Sequence, residues 1–192
     1  MPDVTPLTFR CTACGNCCRS LRVAVTGLDL ARLAEATGSA PNDLVSWLTP
    51  DAVDMTGEPA SFVELGEGRR LMVLRQHDGA CHLLDANNQC RAYGARPRDC
   101  RAFPFAFESA RVASDVRRLT LLPLDGCEYA TDGHNDAAAL DAADRARWDE
   151  LDDYQAIVAR WNRRSWHRRR LHKPLGTAYD FLAFLRDQHR GE

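Results

Sequence analysis

Phe9-Arg10-Cys11-Thr12-Ala13-Cys14-Gly15-Asn16-Cys17-Cys18 carries half of the eight cysteines in this 192-residue chain. Three of them recur at a two-residue spacing and the fourth follows directly, so a short loop can turn its thiolates toward one centre. Gly15 supports that reading, because a tight loop that aims backbone amides at sulfur needs a residue free of Cβ constraints. Cys81, Cys90, Cys100 and Cys127 make up a second set of four. Eight thiolates can serve one centre or two, and the adjacent pair Cys17 and Cys18 leaves their division open.

The spacing also bears on which metal is bound. Zinc ribbons and fingers place two separated pairs around a tetrahedral ion. A Cys-x2-Cys-x2-Cys run instead resembles the ferredoxin loop, whose cubane takes three thiolates from one segment and one from elsewhere. The expected cofactor is therefore an iron-sulfur cluster of the 4Fe-4S kind in one or two centres, with redox or enzymatic use. The alternative is a structural zinc module that mediates protein or nucleic-acid interaction. Either site with four thiolates is a net dianion, and Arg96, Arg98 and Arg101 around Cys100 are the expected cofactor-binding cations. Such a site is absent from the unfolded chain, so metal binding contributes to folding, on the order of 10 kcal/mol for structural zinc.

Bulk composition sets the surroundings. With 45% hydrophobic and 27% charged residues the chain is of the soluble globular class. A formal net charge of -2 supplies no overall basic excess for nucleic acid or anionic membranes. No stretch approaches the roughly 20 apolar residues of a membrane span, and residues 1–9 lack the pattern of a secretory signal. The expected location is the cytoplasm, where disulfides do not persist and metal ligation becomes the better account of eight cysteines. A protein partner is left unidentified, and neither nucleic acid nor membrane is expected as a partner.

The expected fold is α+β: a small β-meander with metal-binding cysteine loops, flanking short helices and a helical C-terminal segment. Residues 21–25 alternate as a half-buried strand. Thr26 and Asp29 start a helix carrying Leu28, Leu30, Leu33 and Ala34, which Gly38 ends. A short helix is predicted over 41–48. Strands are predicted at 62–65, 70–75, 80–84 and 89–93, the last two joined by a four-residue loop over 85–88 that sets Leu83 opposite Cys90. A further strand is predicted over 116–122. A helix over 135–170, acidic first and basic last, suits the helix dipole; its apolar stripe is Ala143, Trp148, Leu151, Tyr154, Ile157, Val158 and Trp161. A last helix over 177–189 buries Phe181, Leu182, Phe184 and Leu185. Residues 1–134 are the expected cysteine-cluster domain, and residues 135–192 a helical extension packed on it.

The string Phe-x-Cys-x2-Cys-Gly-x-Cys-Cys, then Cys81-x8-Cys90, Tyr93-x2-Arg96-Pro97 and Cys100-Arg101-x-Phe103-Pro104, resembles the YkgJ-type cysteine-cluster family. The resemblance runs from Phe9 to about Cys127 and implies zinc or iron chelation. Some members of that family are named iron-sulfur oxidoreductases, and a flagellin lysine methylase carries a similar cysteine domain. Ala92 and Ala95 depart from the bulkier residues common at those positions.

The other polar residues have plainer readings. His82 follows Cys81 but alternation turns it to the opposite, surface face; His77 and His134 sit in turns. The arginines of 161–170 belong to a helix end, where the dipole favours cations, more than to a nucleic-acid surface. Gly66-Glu67-Gly68 fits a hairpin rather than a nucleotide fingerprint. Asp99 and Glu108 have no partner in the sequence that would perturb them, so no catalytic residue is assigned.

Overall fold

The computed structural model describes residues 8–53, 59–107, 119–123, 125–127 and 129–189. Its organising strand is β3 (Gly68–Leu74), whose last four residues, Leu71 to Leu74, are all buried. A run buried on both faces needs cover above and below as well as partners at its edges. Strand β1 (Val45–Leu48) pairs antiparallel along the second half of β3, setting Val45 opposite Leu74, and β2 (Val63–Leu65) pairs with the first half, setting Val63 opposite Arg70. Where β2 stops, residues 23–25 continue along the edge opposite β1: Leu74 N donates to Val23 O (2.8 Å) and Val25 N to Met72 O (3.1 Å). The predicted strand at 21–25 is thus reduced to one bridge, Ala24 with Val73.

Helix α2 (Gly27–Thr37) begins with a reciprocal cap. Thr26 Oγ1 accepts from Asp29 N, and the Asp29 carboxylate accepts from Thr26 N, both at 3.1 Å. Gly38 closes the helix at φ 66°. Leu30 and Leu33 face the core, whereas Leu28 is exposed, a correction to the predicted stripe. The predicted helix over 41–48 lasts one turn, α3 (Pro41–Leu44), before the chain becomes β1. Val45-Ser46-Trp47-Leu48 suits a pleated edge, and the open hydrogen-bonding edge of β3 outweighs the local helical pattern.

Helix α5 (Ala137–Arg170) starts at Asp136, whose side chain accepts from Ala138 N, and ends in His167, Arg168, Arg169 and Arg170. It covers the sheet and also satisfies its edge: Asn162 accepts from Glu64 N (2.8 Å) and donates to Phe62 O (2.9 Å), while Trp161 Nε1 donates to Glu64 O. Side chains here do what another strand would do for β2. Ala143, expected in the apolar stripe, is exposed; its neighbour Asp144 is buried instead, paired with Arg147 at 2.8 Å. Helix α6 (Ala178–His189) inserts Phe181, wholly buried, between Trp47 and Trp161 in edge-on contacts of 5.9 and 5.3 Å. One continuous core takes residues from both sides of position 134, from Val25 to Leu185.

The remaining pieces are short. Strands β4 (Gln76–His77) and β5 (Ala80–Cys81) form a hairpin around Asp78 and Gly79, both at positive φ as a tight Asp-Gly turn requires. The predicted strands at 80–84 and 89–93 survive as β5 and a single bridge of Leu84 with Cys90. That register is one residue away from the predicted pairing of Leu83 with Cys90. Asp85 explains the slip: its carboxylate accepts from Asn87 N (2.8 Å) and Gln89 N (2.9 Å), with Asn88 at φ 61°, so the loop takes in one more residue. Beyond it, Tyr93–Ala95 is a 3-10 turn, followed by helix α4 (Arg98–Ala102). Strand β6 (Phe105–Phe107) pairs with β7 (Leu119–Leu121), Phe105 opposite Leu121. Of the strand predicted at 116–122, residues 116–118 lie outside the described residues. The fold is α+β, with a smaller sheet than the sequence predicts.

Candidate metal centre

The segment before α1 (Asn16–Ser20) is held by a distant part of the chain. Arg10 and Ala130 exchange backbone hydrogen bonds of 2.9 and 3.1 Å. The Arg10 guanidinium grips the Asp132 carboxylate through two bonds of 2.8 and 2.9 Å, and Asn135 Nδ2 donates to Phe9 O. Asn16 Nδ2 donates to Gly126 O. These ties bring Cys127 Sγ to 3.8 Å from Cys14 Sγ. Phe9 stands against Phe105 and Tyr129, each with ring centroids at 5.3 Å, beside the two cysteine segments.

Within the loop, Ala13 (φ 55°) and Gly15 (φ 75°) both take left-handed conformations. Cys11 is exposed, and its sulfur accepts from Ala13 N at 3.3 Å. Gly15 caps α1, and a Cβ there would run into the Arg19 guanidinium and the Asn88 side chain. Helix α1 carries Cys17 and Cys18 with their sulfurs 4.0 Å apart, and it lies against β5 and therefore Cys81. Arg19 binds Asn88 Oδ1 at 2.6 Å, fixing α1 to the loop that precedes Cys90. Cys81 and Cys90 border the same apolar core.

Cys100 arrives on α4, which is fastened from below. Arg98 N donates to Asp29 Oδ1 (2.7 Å), the buried Arg98 side chain reaches Arg147 O (3.5 Å) and Asp99 Oδ1 (3.6 Å), and Asp99 pairs with Arg147 at 3.1 Å. Asp29 also accepts from Arg32 (2.7 Å), and Arg32 pairs with Glu150 (2.8 Å). A network of charges across α2, α4 and α5 thus sets the position of one cysteine. The sequence reading saw Asp29 only as a helix cap. Its second role depends on α2 and α4 meeting, which no local pattern encodes.

Thiol electrostatics follow from this crowding. The hydrogen bond with Cys18, then burial, pushes the Cys17 thiol well up, while the same bond draws Cys18 below its ordinary value against burial and the charges of Cys81, Cys100 and Cys90. Burial raises Cys100 strongly, with Cys81, Asp99, Cys17 and Cys90 adding to it. Burial, with Cys90 and Cys17 adding, raises Cys81. Cys127 is pushed up to about 11 by burial and by Cys14, with Cys17 and Cys11 contributing. A metal ion must displace these protons, since the thiolate is the ligand.

Tetrahedral zinc with sulfur at about 2.3 Å holds its thiolates about 3.8 Å apart. Cys14 with Cys127 and Cys17 with Cys18 stand near that separation. Among the described residues no three His, Cys, Asp or Glu side chains converge closely enough to hold one ion. The donors therefore come as close pairs with wider gaps between them, and all are soft thiols suited to zinc or iron-sulfur chemistry.

The three predicted arginines lie around Cys100 with other partners. Arg96 stacks on Tyr93 at 3.7 Å and donates to Tyr93 O, Arg98 is buried in the network above, and Arg101 faces Glu150 at 4.0 Å. Among the described residues none of them donates to a cysteine sulfur. His77 pairs with Asp78 in an exposed turn. His82 is a correction to the surface reading: it is half-buried, its Nε2 has no partner among the described residues, and burial, with Arg91 and Arg75, lowers its pKa. It lines a cavity with Thr37, Ser39, Asp43 and Arg91.

Residues 10–119, more than half of the chain, match the CxxCxxCC family, described as "Putative zinc- or iron-chelating domain". The chain belongs to this family. Among curated proteins and solved structures nothing matches it. As a CxxCxxCC protein it is a metal binder, and the matched span takes in every cysteine except Cys127. Among the described residues no helix is long and apolar enough to cross a membrane.

Proposed function

We propose that this CxxCxxCC protein carries iron-sulfur chemistry of the 4Fe-4S kind and uses it to move electrons in the cytoplasm. The supporting observation is the company Cys127 keeps. Cys11, Cys14 and Cys17 come from one loop at two-residue spacing, and a thiol from far along the chain stands 3.8 Å from the middle one. Three thiolates from one segment and one from elsewhere is the ferredoxin arrangement. The cluster would supply a one-electron couple. The chain's own part is to hold and orient the thiolates, with Phe9, Phe105 and Tyr129 limiting water beside them. Arg98 and Arg101 on α4, with Arg96 just before it, offset the dianion through space rather than by direct bonds. In this reading residues 1–134 form the cluster-binding unit and residues 135–192 a helical extension packed on it.

Iron, zinc and acid-labile sulfide per chain, with an absorption spectrum, on protein purified without oxygen test the proposal. Iron and sulfide in equal amounts, about four per cluster, with broad charge-transfer absorption are expected. Zinc alone, colourless and without sulfide, overturns it in favour of a structural zinc module.

A further inference from the structure

Eight thiolates pose the question of how many centres they make. We infer that the chain holds two separate metal centres, an outer one on Cys11, Cys14, Cys17 and Cys127 and an inner one on Cys18, Cys81, Cys90 and Cys100. The inference rests on the reading of the cysteines as metal ligands, and holds for either metal.

The two sets belong to different pieces of the fold. The outer set sits where the segment around Arg10 is tied to residues 126–135 by the Arg10 and Ala130 backbone bonds, the Arg10 and Asp132 ion pair and the Asn16 contact with Gly126. The inner set sits where α1 meets β5, where the bridge of Leu84 with Cys90 closes the 85–89 loop, and where the Asp29 contact anchors α4. Only α1 serves both. Cys17 and Cys18 follow each other on α1 with their sulfurs 4.0 Å apart, so they form the seam of the division, one assigned to each side of it. Gly15 turns the chain between Cys14 and α1, and Arg19 stands at the seam, its guanidinium near Cys14 O (3.5 Å) and bonded to Asn88 (2.6 Å). A cation there also reduces the repulsion between two dianionic centres.

A single four-thiolate centre would leave four more thiols beside it as competing ligands, since no cysteine is in a disulfide. The two sets differ in exposure at one ligand: Cys11 is exposed, while the other seven cysteines are half-buried. Cys11 is the ligand that solvent reaches first, while Cys81 and Cys90 pack against the core.

Metal per chain by native mass spectrometry tests the division. Cys14→Ser, Cys17→Ser and Cys127→Ser are each expected to retain half of the wild-type metal, as are Cys18→Ser, Cys90→Ser and Cys100→Ser. The combination of Cys14→Ser with Cys127→Ser should still retain half, whereas Cys14→Ser with Cys100→Ser should retain none. If Cys127→Ser and Cys100→Ser remove the same metal, or if the wild type holds a single centre's complement, the two-centre inference fails while the metal reading stands. A wild type with no metal overturns both. Should the variants not fold, timed chelation of the wild-type protein decides. Two release phases of equal amplitude are expected, with Cys11 and Cys127 alkylated in the first and Cys90 and Cys100 in the second; one phase exposing all eight together overturns the inference.

Discussion

The sheet with its covering helices and the cysteine region are built on different energetics within one chain. Around β3 the structure buries a run of large apolar side chains, among them Leu33, Leu44, Leu65, Met72, Leu151, Val158 and Phe181. In the cysteine region α1 buries nothing, β6 and β7 are only half-buried, and the loop between β5 and α4 contributes Leu83, Ala92 and Pro97 as its buried apolar residues. Hydrophobic burial of roughly 1.5–3 kcal/mol per large side chain can hold the first region. The second buries fewer large apolar side chains and is tied by polar contacts such as Arg10 with Asp132, Arg19 with Asn88 and Arg98 N with Asp29, and we expect metal cross-links to supply the rest.

The strongest way to break this contrast is to remove the metal. Stripping it should cost on the order of 10 kcal/mol in the cysteine region. Hydrogen exchange should then show protection lost over residues 9–20, 80–107 and 126–135 while β3, α5 and α6 keep theirs; uniform loss would mean that the two regions are one unit. The pH dependence should separate the two forms. Thiols raised above their unfolded value, such as Cys17, Cys100 and Cys127, stabilise the stripped fold below that value, and this contribution is lost as pH rises through the folded one. Metal binding releases protons, so the apparent affinity should rise with pH over the same range, measurable by competition with a chelator of known affinity.

Phe181→Ala attacks the other side. Opening a hole between Trp47 and Trp161 should cost about 3–5 kcal/mol in urea unfolding, with metal per folded chain unchanged. Asp29→Ala acts on the joint between the regions, since its buried carboxylate serves Thr26 N, Arg32 and Arg98 N. We expect a loss of about 2–3 kcal/mol together with lower metal content, because α4 and Cys100 lose their anchor; normal metal content would show that α4 is positioned by its metal alone. Gly38→Ala, at the left-handed end of α2, should cost about 1 kcal/mol and leave metal binding untouched.

What could be read from the sequence was what is local. Thr26, Asp29 and Gly38 mark both ends of α2 within a few residues of each other, and the long helix shows its acidic start and basic end. Residues 45–48 were expected to be helical because only β3, more than twenty residues later, makes them a strand. The hairpin register was off by one because the Asp85 side chain, rather than hydrophobic alternation, sets the loop length. The ligand candidates were visible as residue types at telling spacings. The contact between Cys14 and Cys127 was not, because it depends on Arg10 finding Ala130 and Asp132 across the chain.

That contact has a consequence in time. Cys14 and Cys127 are 113 residues apart in sequence, so at roughly 5–20 residues per second the ribosome delivers the second about 6–23 s after the first. Throughout that interval the nascent chain presents Cys11, Cys14, Cys17 and Cys18 without their late partner, open to oxidants and to any scavenging thiophilic ion. On the two-centre reading the outer centre is completed only after Cys127 has been made, and the first thiols have to stay reduced until the chain has come round to meet them.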